Sequence, residues 1–424
     1  MRPKVAAGLK GRRQSFPRIE SYLAGRDSIS PGSSILFHAT SVGEYLQAVP
    51  LMERIRNSGG KMPLFLSYFS PSVEKRARGC SFADLAFYLP EDTAANMRRM
   101  IELLKPGLIV VSKFDIWPNL VWEAHREGIP VAVTAGTLSP DSGRIRGIAG
   151  SFHRGFYPLL SLVCAISDED AENFARLGVE RENCIVTGDT RFDQTWARAS
   201  AVTGDDPLVA PFYGWQGNTI FAAGSIWPAD QQHLLPALEK LCASFPDLRL
   251  ILAPHEPSEA HTGQLTSFCN GAGLSYEHYS AFNTGTGRGE RPARVQPGTR
   301  VVIVDTIGAL AAVYRAADMA YVGGSFGTGV HNTMEPACFG LPLIFGPRHL
   351  NSYEARLMVS ADGAFPVENE NDIIEAGNKL LLDKDYRLAS GGAARQVVEQ
   401  NLGATTKTVR ALAGAFPGVM PKDK

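Results

Sequence analysis

Residues Ala320–Asn351 read AYVGGSFGTGVHNTMEPACFGLPLIFGPRHLN. An apolar strand, Met319–Val322, leads into the glycine-rich loop Gly323-Gly324-Ser325-Phe326-Gly327-Thr328-Gly329, and a helix is expected from His331-Asn332. Pro342-Leu343-Ile344-Phe345-Gly346 then supplies a second strand, which makes a β-loop-α-β unit. Glycine tolerates φ > 0 and lets the backbone approach a ligand closely. Free N–H groups at a helix start, with the positive end of the helix dipole behind them, suit an anion such as phosphate or carboxylate. A tight strand-to-helix connection uses the same glycines, so the loop alone does not choose between an anion cradle and a plain turn.

Working outward, the same unit recurs along the chain. Short apolar runs at 34–38, 64–66, 85–89, 108–111, 131–133, 162–166 and 184–187 alternate with helical segments in the first half. Runs at 220–223, 248–252, 301–304, 319–322 and 343–345 do so in the second. Continuous apolar strands separated by helices predict parallel sheets covered on both faces. The expected fold is therefore α/β, with two Rossmann-like doubly wound domains, residues 1–200 and 201–424, facing across a cleft that takes ligands at the carboxyl ends of the strands. The Gly-, Pro-, Asp- and Ala-rich stretch Arg198–Gln216 is expected to be the hinge, and Ala281–Thr299 a surface loop.

A chain of 424 residues has room for two cores, and 44% hydrophobic with 20% charged residues is ordinary globular composition. A formal net charge of -1 offers no electrostatic footprint for nucleic acid. The six cysteines are scattered without a C-x-x-C pair, which points to reduced core thiols rather than a disulfide framework or zinc site. No apolar run reaches the ~20 residues that span a bilayer, and the start lacks the apolar centre of a secretion signal. Arg2, Lys4, Lys10, Arg12, Arg13 and Arg18 precede the first acid, Glu20. They read as a solvated basic arm or as a patch for anionic head groups.

Four strand ends carry residues that packing does not demand. In Ser41-Val42-Gly43-Glu44, the Ser-x-x-Glu pattern is a capping box, while Gly43 leaves room for an acceptor and Glu44 suits a general base on a hydroxyl. In Lys113-Phe114-Asp115-Ile116-Trp117-Pro118-Asn119, Lys113 and Asp115 share a face if the strand continues; they form a rim salt bridge or orient a sugar or phosphate, with Trp117 as a stacking platform. Arg191, in Gly188-Asp189-Thr190-Arg191-Phe192-Asp193, suits a carboxylate or phosphate unless the nearby acids neutralise it. His255 follows the strand Leu248–Leu252, where it and the glycine loop would line the donor side of the second domain. No ligand set for a metal is present in the pattern.

Taken together, these motifs resemble those of the Kdo transferases of lipopolysaccharide synthesis, glycosyltransferases of GT-B architecture. The similarity runs from about residue 34 to 402 through His38-Ala39-Thr40-Ser41-Val42-Gly43-Glu44, Trp117-Pro118-Asn119-Leu120, Gly188–Asp193, Asp305-Thr306-Ile307-Gly308-Ala309-Leu310, Val322-Gly323-Gly324-Ser325, His331-Asn332, Glu335-Pro336, Phe345-Gly346-Pro347 and Asn351. The resemblance implies transfer of 3-deoxy-D-manno-oct-2-ulosonic acid (Kdo) from CMP-Kdo to a lipid A precursor, lipid IVA, with inversion, at the cytoplasmic face of the bacterial inner membrane. It implies peripheral membrane contact, no cofactor and no metal. The family's general base falls on Glu44. Its CMP site falls on Gly323, Gly324, Ser325, His331, Asn332 and Glu335, to which the residue reading adds His255 and Arg191. Ser41, Gly43, Lys113 and Asp115 would orient acceptor or sugar. Many members have acid where this chain has Lys113, an Asn-Ala-Arg-Leu-Ser segment where it has Ala135-Gly136-Thr137-Leu138-Ser139, and arginine where it has His255, and many begin with a hydrophobic anchor. Two other readings fit the architecture: a nucleotide-sugar epimerase and a sugar-nucleotide binder without turnover.

Overall fold

The computed structural model describes residues 3–282 and 293–421. Arg2, the Lys4 side chain and the 283–292 portion of the expected surface loop lie outside the described residues. The chain divides into two compact units, Met1–Gln194 with Asn401–Lys424, and Thr195–Gln400.

The first unit carries a seven-stranded sheet of β1 (Ser34–Ala39), β2 (Leu64–Tyr68), β3 (Leu85–Tyr88), β4 (Pro106–Ser112), β5 (Val131–Gly136), β6 (Leu162–Ala165) and β7 (Cys184–Val186). Its order is β3-β2-β1-β4-β5-β6-β7, with every pairing parallel. Successive side chains enter opposite faces, so Leu36, Ile109 and Val133 join one buried cluster while Ile35, Phe37, Val110 and Ala132 join another. Two-sided burial is why these strands read as unbroken apolar runs. Truncating a fully buried anchor such as Phe65 to Ala would cost about 3–5 kcal/mol through lost burial and the cavity left behind.

The second unit repeats the plan with β8 (Thr219–Ile226), β9 (Leu248–Pro254), β10 (Tyr276–His278), β11 (Val301–Ile303), β12 (Met319–Val322), β13 (Leu343–Phe345) and β14 (Ala364–Pro366), in the order β10-β11-β9-β8-β12-β13-β14. In each sheet the winding direction reverses beside the first strand, between β1 and β4 and between β8 and β12. Loops leave in opposite directions there and open a crevice at the strands' carboxyl ends, which is where a doubly wound sheet takes ligands.

Three boundaries differ from the sequence reading. The units part at Gln194/Thr195 rather than near residue 200. Residues 401–424 return to the first unit because Val409, Leu412 and Met420 pack into its core. The expected hinge at Arg198–Gln216 belongs to the second unit: Phe212 and Trp215 are buried, and the Trp215 indole N–H donates to Thr299 O at 2.9 Å. Gly and Pro there serve a packed 3-10 turn, Ala210–Trp215.

The basic start is also more ordered than a solvated arm. Pro3–Arg13 and Ser15–Leu23 are helices; Ile19 is buried, Ser15 Oγ donates to Tyr88 O at 2.6 Å, and the Arg12 guanidinium stands 4.2 Å from the Phe69 ring centroid. Among the described residues, no helix is long and apolar enough to cross a membrane.

Candidate active site

At the end of β1 the chain turns into the helix Val42–Asn57, and the capping box expected there forms. Glu44 Oε2 accepts the backbone N–H groups of Thr40 at 2.5 Å and Ser41 at 3.0 Å, and Ser41 Oγ accepts the Glu44 N–H at 3.4 Å. Those bonds leave Oε1 as the oxygen they do not occupy. A Cβ on Gly43 would meet nothing nearer than Ser41 Oγ at 3.9 Å, so the space above the helix start is open. Glu44 is 5% exposed. Burial raises its pKa, the Ser41 and Thr40 N–H groups pull it back, Asp115 pushes it up and Lys113 lowers it; the net direction is upward. Cap and base are therefore compatible in this side chain: one oxygen fixes the geometry while burial strengthens the carboxylate as a proton acceptor.

The neighbouring strand β4 ends at Ser112, and Lys113 turns off with φ 72, a left-handed conformation that few non-glycine residues adopt. The strand does not continue through Lys113, so the condition under which Lys113 and Asp115 would share a face is not met. Asp115 Oδ1 lies 3.6 Å from Arg144 Nη2, so the ion pair found is with Arg144, which sequence reasoning missed. Arg144 also covers the Phe114 ring at 4.6 Å. Its contribution had no periodic or motif signal, since it comes from a loop thirty residues on.

Trp117 reaches His38, donating its indole N–H to Nε2 at 3.0 Å, and packs on Phe69 with centroids 4.8 Å apart. His38 Nδ1 lies 2.9 Å from Ser67 Oγ, whose hydroxyl donates to Phe37 O at 3.2 Å. Burial holds the His38 pKa down to about 4, against an upward pull from Asp115 and Ser67. Asp92 fixes the Trp117-Pro118-Asn119 turn by accepting the N–H groups of Asn119 and Leu120, both at 3.1 Å. Thr137 donates to Asp170 Oδ1 at 3.0 Å.

Arg191 lies in this first unit, apart from the other residues expected to bind the donor. Its Nε and Nη2 contact Asp189 Oδ2 at 2.8 and 2.6 Å. Burial alone would raise the Asp189 carboxyl, but the Arg191 charge and the hydrogen bonds from Arg191 and Gln47 outweigh it and hold the pKa below the usual carboxylate range. The nearby acid that sequence reasoning allowed as a neutralising partner is Asp189.

In the second unit, Ser225, next to last in β8, takes φ 55, a left-handed conformation like that of Lys113 just after β4. Asp230, fully buried, ties the strand ends together: Oδ2 accepts the N–H groups of Trp227 and Gly324 at 2.8 Å each, and Oδ1 accepts the Tyr321 hydroxyl at 3.1 Å. Above them Trp227, His255 and His331 stack, with centroids 4.4 Å apart from Trp227 to His255 and 4.4 Å from His255 to His331. The Trp227 indole N–H donates to His331 Nε2 at 2.5 Å. Burial lowers the pKa of both histidines, and His255 lowers that of His331 further.

The glycine loop is knitted rather than open. The N–H groups of Gly323, Gly327, Gly329 and His331 donate to Gly224 O, Gly324 O, Gly324 O and Gly323 O at 2.9–3.1 Å. Ser325 is buried and its Oγ accepts the Gly346 N–H at 2.5 Å. Gly324 takes φ 99, and a Cβ there would lie 2.5 Å from Gly329 O, so glycine is required for closeness as well as for φ. The following helix is Met334–Cys338, later and shorter than the one expected from His331-Asn332, and Asn332 Oδ1 accepts the Met334 N–H at 3.1 Å at its start.

Glu335 lies on that short helix and lines a cavity of ≈ 190 Å³ with Arg198, Asp206, Gly308, Ala312 and Phe339. Burial raises its pKa, while Arg198 and the Asn332 side chain lower it; the net direction is upward. Arg198, read from the sequence as hinge, thus faces Glu335 and the Asp305–Leu310 motif. Among the described residues no group of three or more His, Cys, Asp or Glu is placed to hold a metal ion.

Residues 10–194 match the family model described as 3-Deoxy-D-manno-octulosonic-acid transferase (kdotransferase), a match that ends with the first segment of the first unit. The chain is 28% identical over 390 residues to the 3-deoxy-D-manno-octulosonic acid transferase of Haemophilus influenzae, covering 90% of this chain and 86% of that one. It is 28% identical over 406 residues to that of Bordetella pertussis, covering 92% and 89%. Among solved structures it resembles UDP-GlcNAc 2-epimerase from Neisseria meningitidis bound to UDP-GlcNAc, with a TM-score of 0.65 at 13% identity over 90% of this chain and 100% of that one. At such identity the likeness shows the fold alone, the pair of Rossmann-like domains of the GT-B architecture.

Proposed function

We propose that the chain, similar over most of its length to 3-deoxy-D-manno-octulosonic acid transferases, is a glycosyltransferase of that family and moves Kdo from CMP-Kdo to a phosphorylated lipid A precursor, lipid IVA, with Glu44 as the general base. The observation that carries the reading is Glu44 itself. It is a buried carboxylate at the switch point of the first sheet, held through one oxygen and raised in pKa, beside open space over Gly43. Such a group accepts the proton of a sugar hydroxyl as that oxygen attacks the anomeric carbon from the face opposite the departing CMP, and the anomeric configuration inverts. Ser41 and Gly43 shape the acceptor's approach, and Lys113 and Asp115 orient the acceptor or the sugar carboxylate while tuning Glu44.

The second unit would hold the donor. Gly323 and Gly324 bring the backbone close, His255 and His331 offer ring donors to an anion, and Glu335 with Asn332 would accept and donate to ribose hydroxyls. Stabilising the negative charge that accumulates on CMP in the transition state is the contribution expected of such groups. Arg191, paired with Asp189 beside the Gly188 turn, is the residue we assign to an anionic group of either substrate. Contact with the inner membrane at its cytoplasmic face fits a lipid acceptor, and the basic helix carrying Lys10, Arg12 and Arg13 is the surface we assign to it.

The epimerase alternative rests on fold likeness, whereas the relatives over most of the chain are transferases. The deciding experiment incubates the enzyme with freshly generated CMP-Kdo and lipid IVA and reads the product by mass spectrometry. A mass gain of one or more Kdo units, lost with Glu44→Gln by at least about 100-fold, is expected. Turnover of a nucleotide sugar without acceptor would favour the epimerase reading instead.

A further inference from the structure

We propose that Trp227 locks His331 in the tautomer that carries its proton on Nδ1, and so presents a single N–H donor to the anionic part of the nucleotide; this rests on the placement of the donor in the second unit. Trp227 acts through His331 and is therefore a positioning residue. An indole N–H only donates, and it lies 2.5 Å from His331 Nε2, so that nitrogen must be the acceptor and the ring proton sits on Nδ1. The orientation of the ring follows from its neighbours. A Cβ on Gly324 would lie 2.6 Å from His331 Cδ2 and 3.0 Å from Nε2, which sets that edge against the loop and turns Nδ1 to the opposite side. Among the described residues no hydrogen bond engages His331 Nδ1. The half-buried ring is thus held on one edge and free to donate from the other.

His255 completes the device. Its ring lies face-on over both partners, 4.4 Å from each centroid, while the indole and His331 stand 6.0 Å apart and within 6° of parallel; His255 thus covers the hydrogen-bonded pair on one side and opposes tilting of the imidazole. The titratable groups facing His331 are His255, from the end of β9, and Asp230, from the helix Pro228–Ser244; Glu256 faces His255. Protonating Nε2 would break the indole bond. The bond therefore adds to burial in keeping the ring neutral, and a neutral Nδ1–H binds an anion without needing a charged imidazolium.

The test uses the full chain, the variant Trp227→Phe and CMP as probe. Phenylalanine keeps a ring against His255 but removes the N–H. Histidine NMR, with His331 assigned through His331→Gln, is expected to show Nδ1–H in the wild type. In Trp227→Phe the His331 pKa should rise and the Nδ1–H population should fall. Calorimetry should find CMP bound roughly 3- to 10-fold more weakly by the variant at pH 8, the scale of one hydrogen bond. That ratio should shrink toward one as the pH falls through the His331 titration, because the imidazolium again carries a proton on Nδ1. A purely structural role for the indole would weaken binding by the same ratio at every pH and overturn the proposal. An Nε2–H tautomer in the wild type would overturn it without any variant. Failure of wild-type CMP binding, with the tautomer as stated, would remove the donor placement and with it the positioning role.

Discussion

Trp117 donates its indole N–H to Nε2 of His38 across 3.0 Å, the same pairing of atoms that joins Trp227 to His331 in the second unit. In the first unit the acceptor ring is buried, and its other nitrogen donates to Ser67, so both edges are held. His38 Nε2 also lies 3.2 Å from Thr40 Oγ1, and the Thr40 N–H binds Glu44 Oε2. Indole, imidazole, threonine and glutamate therefore form one continuous line from the turn after β4 to the helix start after β1. Trp117→Phe keeps the contact with Phe69 and removes the donor. Stability to urea should fall by about 1 kcal/mol, the His38 pKa should rise from about 4 as the neutral ring loses its partner, and transfer should fall severalfold. Unchanged His38 titration by NMR would show that the indole bond does not hold the ring.

Glu44 makes opposite predictions for activity and stability. Its folded pKa lies above that of an exposed glutamate, so near neutral pH the folded state holds a carboxylate that burial disfavours. The sign of the linkage is that this group lowers stability at pH above its folded pKa, and the penalty disappears as the pH falls through that value. Glu44→Gln retains an oxygen for the Thr40 and Ser41 N–H groups and discards the charge, so its melting temperature at pH 8 should equal or exceed that of the wild type. The acid limb of kcat/KM in the wild type should lie above the ordinary carboxylate range. Asp115→Asn should move that limb to lower pH and Lys113→Met to higher pH, matching the direction in which each charge acts on Glu44.

Glu335 is predicted to matter through binding rather than proton transfer. In the cavity with Arg198 and Gly308, a carboxylate accepting ribose hydroxyls contributes charge-assisted hydrogen bonds. Glu335→Gln should weaken CMP about 10-fold, within the range for a hydrogen bond to a charged group. Because burial raises its pKa, wild-type affinity should decline as pH falls through that raised value, after allowing for the nucleotide's own phosphate. The variant should lack that component. Calorimetry across pH checks both, and equal affinities would place the ribose elsewhere.

The two sheets were legible because their strands are covered on both faces, so that Ile35–Phe37, Leu108–Val111 and Leu250–Leu252 stand out as apolar runs. β10 and β14 were not, since Tyr276–His278 is half-exposed and Ala364–Pro366 buries only its first residue. Glu44 was legible as a cap and as a base because Ser-x-x-Glu after a strand carries both meanings, and the structure shows the cap. The partners of the site were harder. Arg144 and Trp227 lie on turns whose tertiary neighbours leave no local period, and Asp230 lies in an ordinary first helical turn until Gly324 and Tyr321 meet it. The sequence left the glycine loop undecided between an anion cradle and a plain turn because it does not show that Gly224, Asp230 and the loop's own carbonyls take the loop N–H groups.

Asp193 ties the chain's end to its first unit. Its Oδ1 accepts the Gly403 N–H and its Oδ2 the Thr405 N–H, each at 2.6 Å, at the start of the helix Ala404–Ala415. Gly403, at φ 89, has no side chain to cap that helix, so a carboxylate from 210 residues earlier does so. Thr408 Oγ1 adds a hydrogen bond to Thr187 Oγ1 at 2.9 Å, and Val409 and Leu412 enter the core. Losing an N-cap costs about 1 kcal/mol, and here two N–H groups lose their acceptor, so Asp193→Ala should cost about 1–2 kcal/mol. Hydrogen exchange should quicken across 401–415 while residues 334–345 of the second unit keep their protection. Ending the chain after Gln400 should destabilise the first unit more than the second, because β6 and the helix Val42–Asn57 lose the cover of that helix. Equal exchange in both units, or no change at 401–415 in Asp193→Ala, would show that the terminal helix is held by its apolar face alone.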